Sequence, residues 1–470
     1  MEEKTQGQLL KEQLCWNIPN IAKDNKDEVA KAQEFCEGYK DFLNKGKTER
    51  ECVEYSVDLL VKAGYKPFDR NKKYKAGDKV YFVNREKAVI ATTFGQRPLT
   101  EGSRLNFAHI DAPRLDLKPN PLYEKSDISY LKTHYYGGIR KYQWTCIPLA
   151  IHGVVCKADG TKVKVCIGEE PGDPVFVITD LLPHLAAEQG KRTLNDGIKG
   201  EELNIITGCL PFDEKDIKEP VKLMTLKLLN EKYGIVEKDF VRAEIEIVPA
   251  TKATDVGLDR GFVGAAGQDD RVCGYTALMA EIDTKAPVYT TITALVDKEE
   301  IGSVGATGAQ SLFFENTVGE MLVKMGIDSF VQTRLTLSRS KMLSSDVSAG
   351  VDPLFVSVND KKNAAYLGNG IVFNKYTGAR GKSGSNDASA EYVARIRAVM
   401  DESNIHYQTA ELGKVDQGGG GTIAYILGNY NMDVIDAGIA VLNMHAPMEV
   451  VSKVDVYETY QAYKAFLKNA

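Results

Sequence analysis

The second half of the chain alternates short apolar runs with amphipathic stretches, and this alternation restricts the possible folds more than any other feature. Beyond Gly267 it passes through segments such as CGYTALMAEID, VYTTITALVD, SAEYVARIRAVMDESN and VIDAGIAV, and it ends in a helical pattern over residues 454–467. Strands that alternate with helices form a largely parallel sheet with helices on both faces. The sequence therefore predicts an α/β protein with a mostly parallel sheet.

Two amphipathic helices are predicted near the N-terminus. Apolar residues recur at intervals of three and four over residues 27–63, which is the spacing of a helix with one buried face. Gly46 interrupts the pattern, and Thr48 followed by Glu51 has the spacing of a capping box. We therefore expect one helix to end at Gly46 and a second to begin after Thr48.

The segment 119–248 has a different pattern. β-rich runs such as TCIPLAIHGVVC and FVRAEIEIVPA are separated by the turn sequences ADG and EEPGDP, and residues 214–233 form one charged, helix-like stretch. This pattern is typical of a β-rich domain inserted into the α/β unit. We therefore expect an inserted domain over 119–248 and a discontinuous α/β domain formed by 1–118 and 249–470.

The charge balance and the hydropathy of the chain exclude several classes of protein. With 59 basic and 65 acidic residues the net charge is −6, which argues against nucleic-acid or membrane-surface partners. No apolar run approaches the roughly 20 residues of a membrane-spanning helix, and the start MEEKTQGQLLKEQ does not resemble a signal peptide. We expect a cytoplasmic protein whose eight cysteines, none in a CxxC pair, are reduced and fill the core.

His109 and Asp111 lie in RLNFAHIDAP, which has the pattern of a strand. The two-residue period of a strand places both side chains on one face. A carboxylate in that position can accept the second N–H of an imidazole, and metal-bound histidines usually need such a partner to fix their tautomer. The alternative is a buried histidine bonded to a local aspartate at a strand end.

Two pairs of carboxylates lie next to predicted elements. Asp269 and Asp270 begin the helical pattern that follows GFVGAAG, where an aspartate can also serve simply as a helix cap. Glu299 and Glu300 follow the apolar run VYTTITALV, and the carboxyl ends of strands are where open parallel sheets bind ligands. Solvated loop acids are the alternative for this second pair.

Two more apolar segments are each followed by a single potential ligand. These ligands are Asp346 in SSDV and His445 in NMHA. Each would be ordinary in isolation, and a satisfied core histidine is the alternative for His445. Two histidines and several carboxylates at strand ends, however, form the ligand set of a metal site of the zinc type. Two zinc ions about 3.5–4 Å apart would use five such side chains. One of Glu299 and Glu300 is then free to act as a base, and manganese or cobalt would suit the same ligands.

Taken in order, these motifs resemble those of the M18 metalloaminopeptidases, the aspartyl aminopeptidase group. The aspartate pair is also similar to that of the related M42 peptidases. The resemblance covers residues 105–447 and rests on five motifs: His109-Ile-Asp111, Asp269-Asp270, Asp297-Lys-Glu299-Glu300-Ile-Gly302, Ser345-Asp346 and Met444-His445.

The resemblance implies a role for each motif residue. The ligands of one zinc ion would be His109, Asp269 and Asp346. The ligands of the other would be Asp269, Glu300 and His445, so that Asp269 is the bridge. Glu299 would be the general base and acid, and Asp111 the partner that orients His109. The resemblance also implies a cis peptide bond between Asp269 and Asp270.

The resemblance further implies the activity and the assembly of the chain. It implies hydrolysis of the N-terminal residue of short peptides, with a preference for aspartate or glutamate. It also implies that the inserted segment is a lid and dimerisation domain of a homo-oligomer, up to a tetrahedral dodecamer. Lys382, beside Arg380, and His184 of a neighbouring subunit are the candidates for binding an acidic side chain.

Other functions stay open at this point. A solvated basic loop is the alternative for Lys382, and the four glycines at 418–421 depart from the family pattern. A broad or neutral-residue aminopeptidase of the same clan is therefore kept as the alternative to an aspartyl one. A non-catalytic assembly protein on a peptidase fold is a further alternative, because fold alone does not determine function.

Overall fold

The computed structural model describes residues 4–470, with helices at both ends of the chain. The α-helices are α1 Gln6–Leu14, α2 Ile21–Asp24, α3 Lys26–Lys45, α4 Glu49–Lys62, α5 Pro220–Tyr233, α6 Gln268–Asp283, α7 Phe313–Lys324, α8 Phe330–Ser338, α9 Ala390–Glu402, α10 Ala424–Gly428 and α11 Lys453–Asn469.

The strands form three sheets. They are β1 Lys66–Pro67, β2 Lys79–Asn84, β3 Ala88–Thr93, β4 Ser103–His109, β5 Arg114–Lys125, β6 Ile128–Tyr136, β7 Leu149–Cys156, β8 Lys162–Ile167, β9 Ile205–Gly208, β10 Ala243–Pro249, β11 Thr254–Val256, β12 Phe262–Ala265, β13 Thr290–Val296, β14 Lys341–Ser344, β15 Ser348–Ala349, β16 Ile371–Asn374, β17 Tyr407–Thr409, β18 Asp433–Gly438, β19 Ala440–Leu442 and β20 Glu449–Ser452.

The largest sheet has nine strands in the order β1-β2-β3-β13-β4-β14-β18-β16-β17. Within the described part of the chain, five of its eight neighbouring strand pairs are parallel, including the central run β13-β4-β14-β18. The predicted α/β class with a mostly parallel sheet is therefore confirmed. Strand β13 is in register with β4 so that Val296 lies opposite His109, which brings their carboxyl ends to the same edge.

Helices cover both faces of this sheet. Successive strand residues enter different cores: Met342 packs with α7 and α10 on one face, and Leu343 packs with α3, α6 and α11 on the other. Strands buried on both sides read as continuous apolar runs, because no position faces water. Every residue of β13 and the last three residues of β14 are accordingly buried, including the threonines of β13 and Ser344.

The six-stranded antiparallel sheet β8-β7-β10-β5-β6-β9 has its own hydrophobic core, which includes Trp144. All six strands lie between Arg114 and Pro249. The helix in this part begins at Pro220 rather than at 214. Proline has no N–H to donate and its φ suits the first helical position, so it begins a helix readily.

The N-terminal helices follow the predicted pattern. Helix α3 ends with Gly46 as its C-cap, and α4 begins after Thr48, whose side chain accepts the Glu51 N–H while Glu51 caps the Thr48 N–H in return. Both expectations are confirmed, because a capping box satisfies donors within one turn and depends little on tertiary contacts.

Only some of the cysteines are buried. Of the cysteines in the described residues, Cys36, Cys52 and Cys273 are buried, whereas Cys15, Cys146, Cys166 and Cys209 are exposed. The prediction that the cysteines fill the core is therefore wrong for these four, which lie in loops and on solvent-facing positions.

Within residues 4–470, no helix combines the length and the apolar character needed to span a bilayer.

Candidate metal centre

The predicted ligands converge at the carboxyl edge of the central parallel strands. His109 is the last residue of β4, Glu299 and Glu300 form a 3-10 turn just after β13, and Asp346 follows β14. Parallel strands that end at one edge bring side chains together that are far apart in sequence. The structure therefore places these four acidic and imidazole groups around one point.

Asp269, at the start of α6, lies between two histidines. Its Oδ1 is 3.2 Å from Nε2 of His109, and its Oδ2 is 3.2 Å from Nε2 of His445. Although it is this close to an imidazole nitrogen, the buried Oδ1 forms no hydrogen bond within the described residues. Two groups that approach each other without a hydrogen bond are arranged as ligands of a common ion would be.

The other nitrogen of each histidine is held by a backbone carbonyl. Nδ1 of His109 lies 3.0 Å from the carbonyl oxygen of Asp111, and Nδ1 of His445 lies 2.7 Å from that of Gly138. Because a carbonyl oxygen can only accept, Nδ1 must carry the hydrogen in both rings. Nε2 of each ring is directed at Asp269, and once it loses its proton its lone pair is available to a metal ion.

Three sets of side chains offer ligand atoms within 4.8 Å of one another. Asp269 belongs to two of these sets, which differ in the histidine they contain. The sets are His109 with Asp269 and Asp346, His109 with Glu299 and Glu300, and Asp269 with Glu300 and His445.

The electrostatics of the cluster favour a positive charge at its centre. Burial raises the pKa of the Glu300 and Asp346 carboxyls well above their ordinary values. Burial opposes the charge of His445, yet Asp269 raises the pKa of that imidazole to about 10. Buried oxygens without a hydrogen-bond partner in the described chain include one each on Asp269 and Glu300. A divalent cation would neutralise this cluster and satisfy these oxygens, so the residues fit a zinc-type ion.

The Asp269-Asp270 pair does not cap a helix. Gly267 occupies the N-cap position of α6, and both aspartates have non-helical backbone angles, with a cis peptide bond between them. The cis bond agrees with what the resemblance implies. Glu299 and Glu300 are likewise not solvated loop acids, since their side chains are only 17% and 4% exposed.

Asp111 is adjacent to His109 for a reason other than the predicted one. Strand β4 ends at His109, because the chain leaves the nine-stranded sheet here and enters the six-stranded sheet at Arg114. His109 and Asp111 therefore do not share a strand face. The Asp111 carboxylate nevertheless lies 3.3 Å from Nδ1 of His109. It also accepts the N–H groups of Glu299 and Glu300 and the Tyr136 hydroxyl, which ties the glutamate turn to the histidine.

A cavity of about 480 Å³ opens onto the cluster. Apart from the acidic groups and His445, most of its described lining is neutral: Gly138, Gly302, Ser303, Val347, Asn374, Thr377, Leu412, Gly419, Gly420, Gly421, Thr422, Tyr425 and Met444. A larger groove of about 1350 Å³ lies along β1 and β2. It contains none of the predicted site residues, so it is not the candidate site.

The predicted substrate-binding residues lie elsewhere. Lys382 forms an ion pair with Asp387 at 3.0 Å and, like Arg380, lines a separate small cleft beside the cavity. His184 lies in the exposed turn Pro183–Leu185 of the segment that joins β8 to β9. Within this chain, the described lining of the cavity includes none of these three residues.

Two groups that hold the candidate ligands in place were not identified in the sequence. The Gly138 carbonyl orients His445 from the loop after β6, and the buried carboxylate of Glu449 accepts the backbone N–H groups of Asp269 and His445. The only available signals were the glycine pair in YYGGIR and an acid four residues after His445 in an otherwise apolar strand pattern.

The chain is similar to known proteins over nearly its whole length. The family model described as Aminopeptidase I zinc metalloprotease (M18) matches residues 42–467. A probable M18 family aminopeptidase 1 from Clostridium acetobutylicum is 53% identical over 452 residues, which are 95% of this chain and 97% of that protein.

Solved structures give the same result. The crystal structure of an M18 family aminopeptidase from Thermotoga maritima has a TM-score of 0.92 and 45% identity, and the match covers 97% of this chain and all of that one. A dodecamer structure of yeast mApe1, with a TM-score of 0.74 and 22% identity, covers 94% of this chain and 97% of that one. This more distant match shows a shared fold alone.

Proposed function

The chain belongs to the M18 family of zinc metallo-aminopeptidases, and we propose that it cleaves peptides at a two-ion centre on the carboxyl edge of its parallel strands. Family membership makes it a zinc-dependent peptide hydrolase that acts on N-terminal residues. The number of ions, the base and the preferred residue are the parts that we propose.

The arrangement of Asp269 supports two ions. Its two oxygens are each 3.2 Å from Nε2 of a different histidine, so one carboxylate can serve two ions at once. We assign His109, Asp269 and Asp346 to one ion, and Asp269, Glu300 and His445 to the other. Both triads use Nε2 of a histidine whose Nδ1–H is held by a carbonyl.

Glu299 is the acid that this assignment leaves free. Bound zinc supplies Lewis acidity, which lowers the pKa of water and polarises the scissile carbonyl. Glu299 lies at the cavity wall, its Oε2 is 3.9 Å from Nε2 of His109, and its backbone is held by Asp111. Burial raises the pKa of its carboxyl above the ordinary value.

The proton balance requires only this one carboxyl group. The Glu299 carboxylate takes a proton from the attacking water and then donates it to the nitrogen of the leaving peptide as the C–N bond breaks. The products are a free amino acid and a peptide shortened by one residue. Asp111 positions the turn of Glu299 and Glu300 and orients the ring of His109.

The cavity favours a neutral N-terminal residue over an acidic one. Val347, Leu412, Tyr425 and Met444 provide apolar surface, whereas a buried acidic side chain would require a cation to offset its desolvation. Lys382 is already paired with Asp387. We therefore favour the neutral-residue alternative over the aspartate or glutamate preference that the resemblance implies.

Metal content and hydrolysis of amino-acid anilides test this function together. We expect about two zinc ions per chain by mass spectrometry, faster release from Leu-anilide than from Asp-anilide, and loss of both activities after chelation. Faster release from Asp-anilide would favour the acidic preference. A chain that binds zinc but hydrolyses none of a broad peptide panel would support the assembly-protein alternative.

Gly420 provides a sharper test of the specificity. A Cβ atom at Gly420 would lie 3.5 Å from Cδ2 of Leu412, an ordinary contact with another cavity-lining side chain. A Cβ atom at this position therefore fits without strain, and Gly420→Val narrows the cavity. We expect kcat/KM for Leu-anilide to fall roughly 10- to 200-fold, with a much smaller effect on Ala-anilide.

Gly381→Val is the matched control for this variant. Gly381 has no heavy atom within 4 Å of its Cβ position and does not line the cavity, so both anilides should be cleaved at the wild-type rate. An equal loss on Ala- and Leu-anilide in Gly420→Val would show that this wall of the cavity does not contact the first side chain.

We further propose that the segment 119–248 is a lid and dimerisation domain within a homo-oligomer of up to twelve chains. Two observations support this role. The Gly138 carbonyl from this segment contacts a ligand histidine, and the segment exposes several large apolar side chains, which are Leu181, Leu182, Leu185, Leu194 and Leu210. Exposed apolar surface of this kind is typical of an interface.

A further inference from the structure

Glu449 is a buried carboxylate that contacts both halves of the proposed metal centre. It is the first residue of β20 and is 1% exposed. Its Oε1 accepts the N–H of His445 at 2.8 Å, and its Oε2 accepts the N–H groups of Gln268 at 2.5 Å and Asp269 at 3.2 Å. One side chain therefore binds the backbones of two residues that we assign as ligands.

Additional contacts fix Glu449 itself. The Gln268 side-chain amide donates to the Glu449 carbonyl at 2.7 Å, and β20 pairs with β12 so that Glu449 lies opposite Ala265. Tyr39 in turn donates its hydroxyl hydrogen to the Gln268 amide oxygen. The carboxylate is therefore held against a rigid part of the fold, as the supporting groups of a metal site must be.

We propose that Glu449 is a positioning residue that fixes the separation of Asp269 and His445 and thereby the affinity of the centre for zinc. The proposal rests on the two-ion function above. Glu449 is not itself a ligand in this scheme, because both of its oxygens already accept backbone N–H groups.

A carboxylate is required at this position for a simple reason. Three N–H donors point at the side chain, and a carboxylate offers two acceptor oxygens whereas a carboxamide offers one. In Glu449→Gln one oxygen becomes an NH₂ group, which would face a backbone N–H in a buried site. That unfavourable contact should push either the Asp269 segment or the His445 segment away from the other.

The test compares zinc binding in Glu449→Gln with that in a matched variant, Asp455→Asn. Asp455 is also fully buried, and it accepts two backbone N–H groups, from Gly368 at 2.6 Å and Gly370 at 2.8 Å. Those glycines lie outside the metal centre. Both variants lose one acceptor in a buried site, so a general loss of stability should affect them alike.

Zinc content by mass spectrometry and zinc affinity by competition with a chromogenic chelator are the readouts, with melting temperature measured in parallel. We expect Glu449→Gln to bind zinc at least 10-fold more weakly than wild type, while Asp455→Asn retains wild-type affinity at a comparable fall in melting temperature. If Glu449→Gln does not fold, Glu449→Asp replaces it, since its shorter side chain keeps both oxygens but cannot reach both segments.

Each result has one meaning. Wild-type zinc affinity in the Glu449 variant, or an equal loss in Asp455→Asn, would overturn the positioning role and leave the proposed function intact. A wild-type chain that binds no zinc would overturn the proposed function itself and the positioning role with it.

Discussion

Glu299→Gln is expected to lower kcat by about 10²- to 10⁴-fold while zinc remains bound, because the amide cannot take a proton from water or return it to the leaving nitrogen. Glutamine preserves the size of the side chain and the backbone N–H that Asp111 accepts. A base acts in the transition state, so KM should change far less than kcat. Steady-state kinetics on Leu-anilide and zinc content of the same sample check both statements.

The control for this variant is Glu101→Gln, a change of the same chemistry in the surface turn before β4. It should leave kcat, KM and zinc content unchanged. Full activity in Glu299→Gln would remove Glu299 as the base. A fall in activity that only follows a fall in zinc content would instead make Glu299 a ligand, as its place in the set with His109 and Glu300 allows.

Asp269→Asn is expected to remove both zinc ions and all measurable activity. Each carboxylate oxygen of Asp269 faces a different histidine, whereas asparagine keeps a single acceptor oxygen and places an NH₂ group where the second ion would bind. The two ions share this one residue in our assignment. Metal analysis should therefore show well under one zinc ion per chain.

Asp346→Asn is the matched comparison, because Asp346 belongs to one ligand set only. We expect this variant to lose one ion and to retain the other, held by Asp269, Glu300 and His445. Equal zinc content in the two variants would contradict the bridging role of Asp269 and would require a different division of the ligands.

The sequence predicted those features that depend on local periodicity. The apolar spacing of α3 and α4, the end of α3 at Gly46 and the capping box of Thr48 with Glu51 all follow from contacts within a few residues. The strand and helix alternation likewise predicted the mostly parallel sheet, because the connection rules leave few other topologies. The five-stranded sheet that contains β19 and β20 was not predicted, since it pairs short strands from distant parts of the chain.

The candidate ligands could also be identified from the sequence, although not their geometry. Potential ligands that follow apolar runs were expected to lie close together, since the carboxyl ends of parallel strands lie at one edge of the sheet. The sequence could not show that Glu299 and Glu300 both reach the cluster, or that Lys382 pairs with Asp387 instead of lining the cavity. It also placed Asp111 beside His109 on one strand, whereas that strand ends at His109, two residues before Asp111.

The sequence by itself identified the candidate residues for the chemistry, because residue type and local spacing are properties of the chain. Only the tertiary structure decided how those residues are oriented. The hydrogens of the two histidines are fixed by the carbonyls of Asp111 and Gly138, and the backbones of Asp269 and His445 are joined by Glu449. Apart from the Asp111 contact, these interactions link residues far apart along the chain or depend on how the turn after β19 folds back, and no local pattern records such distances.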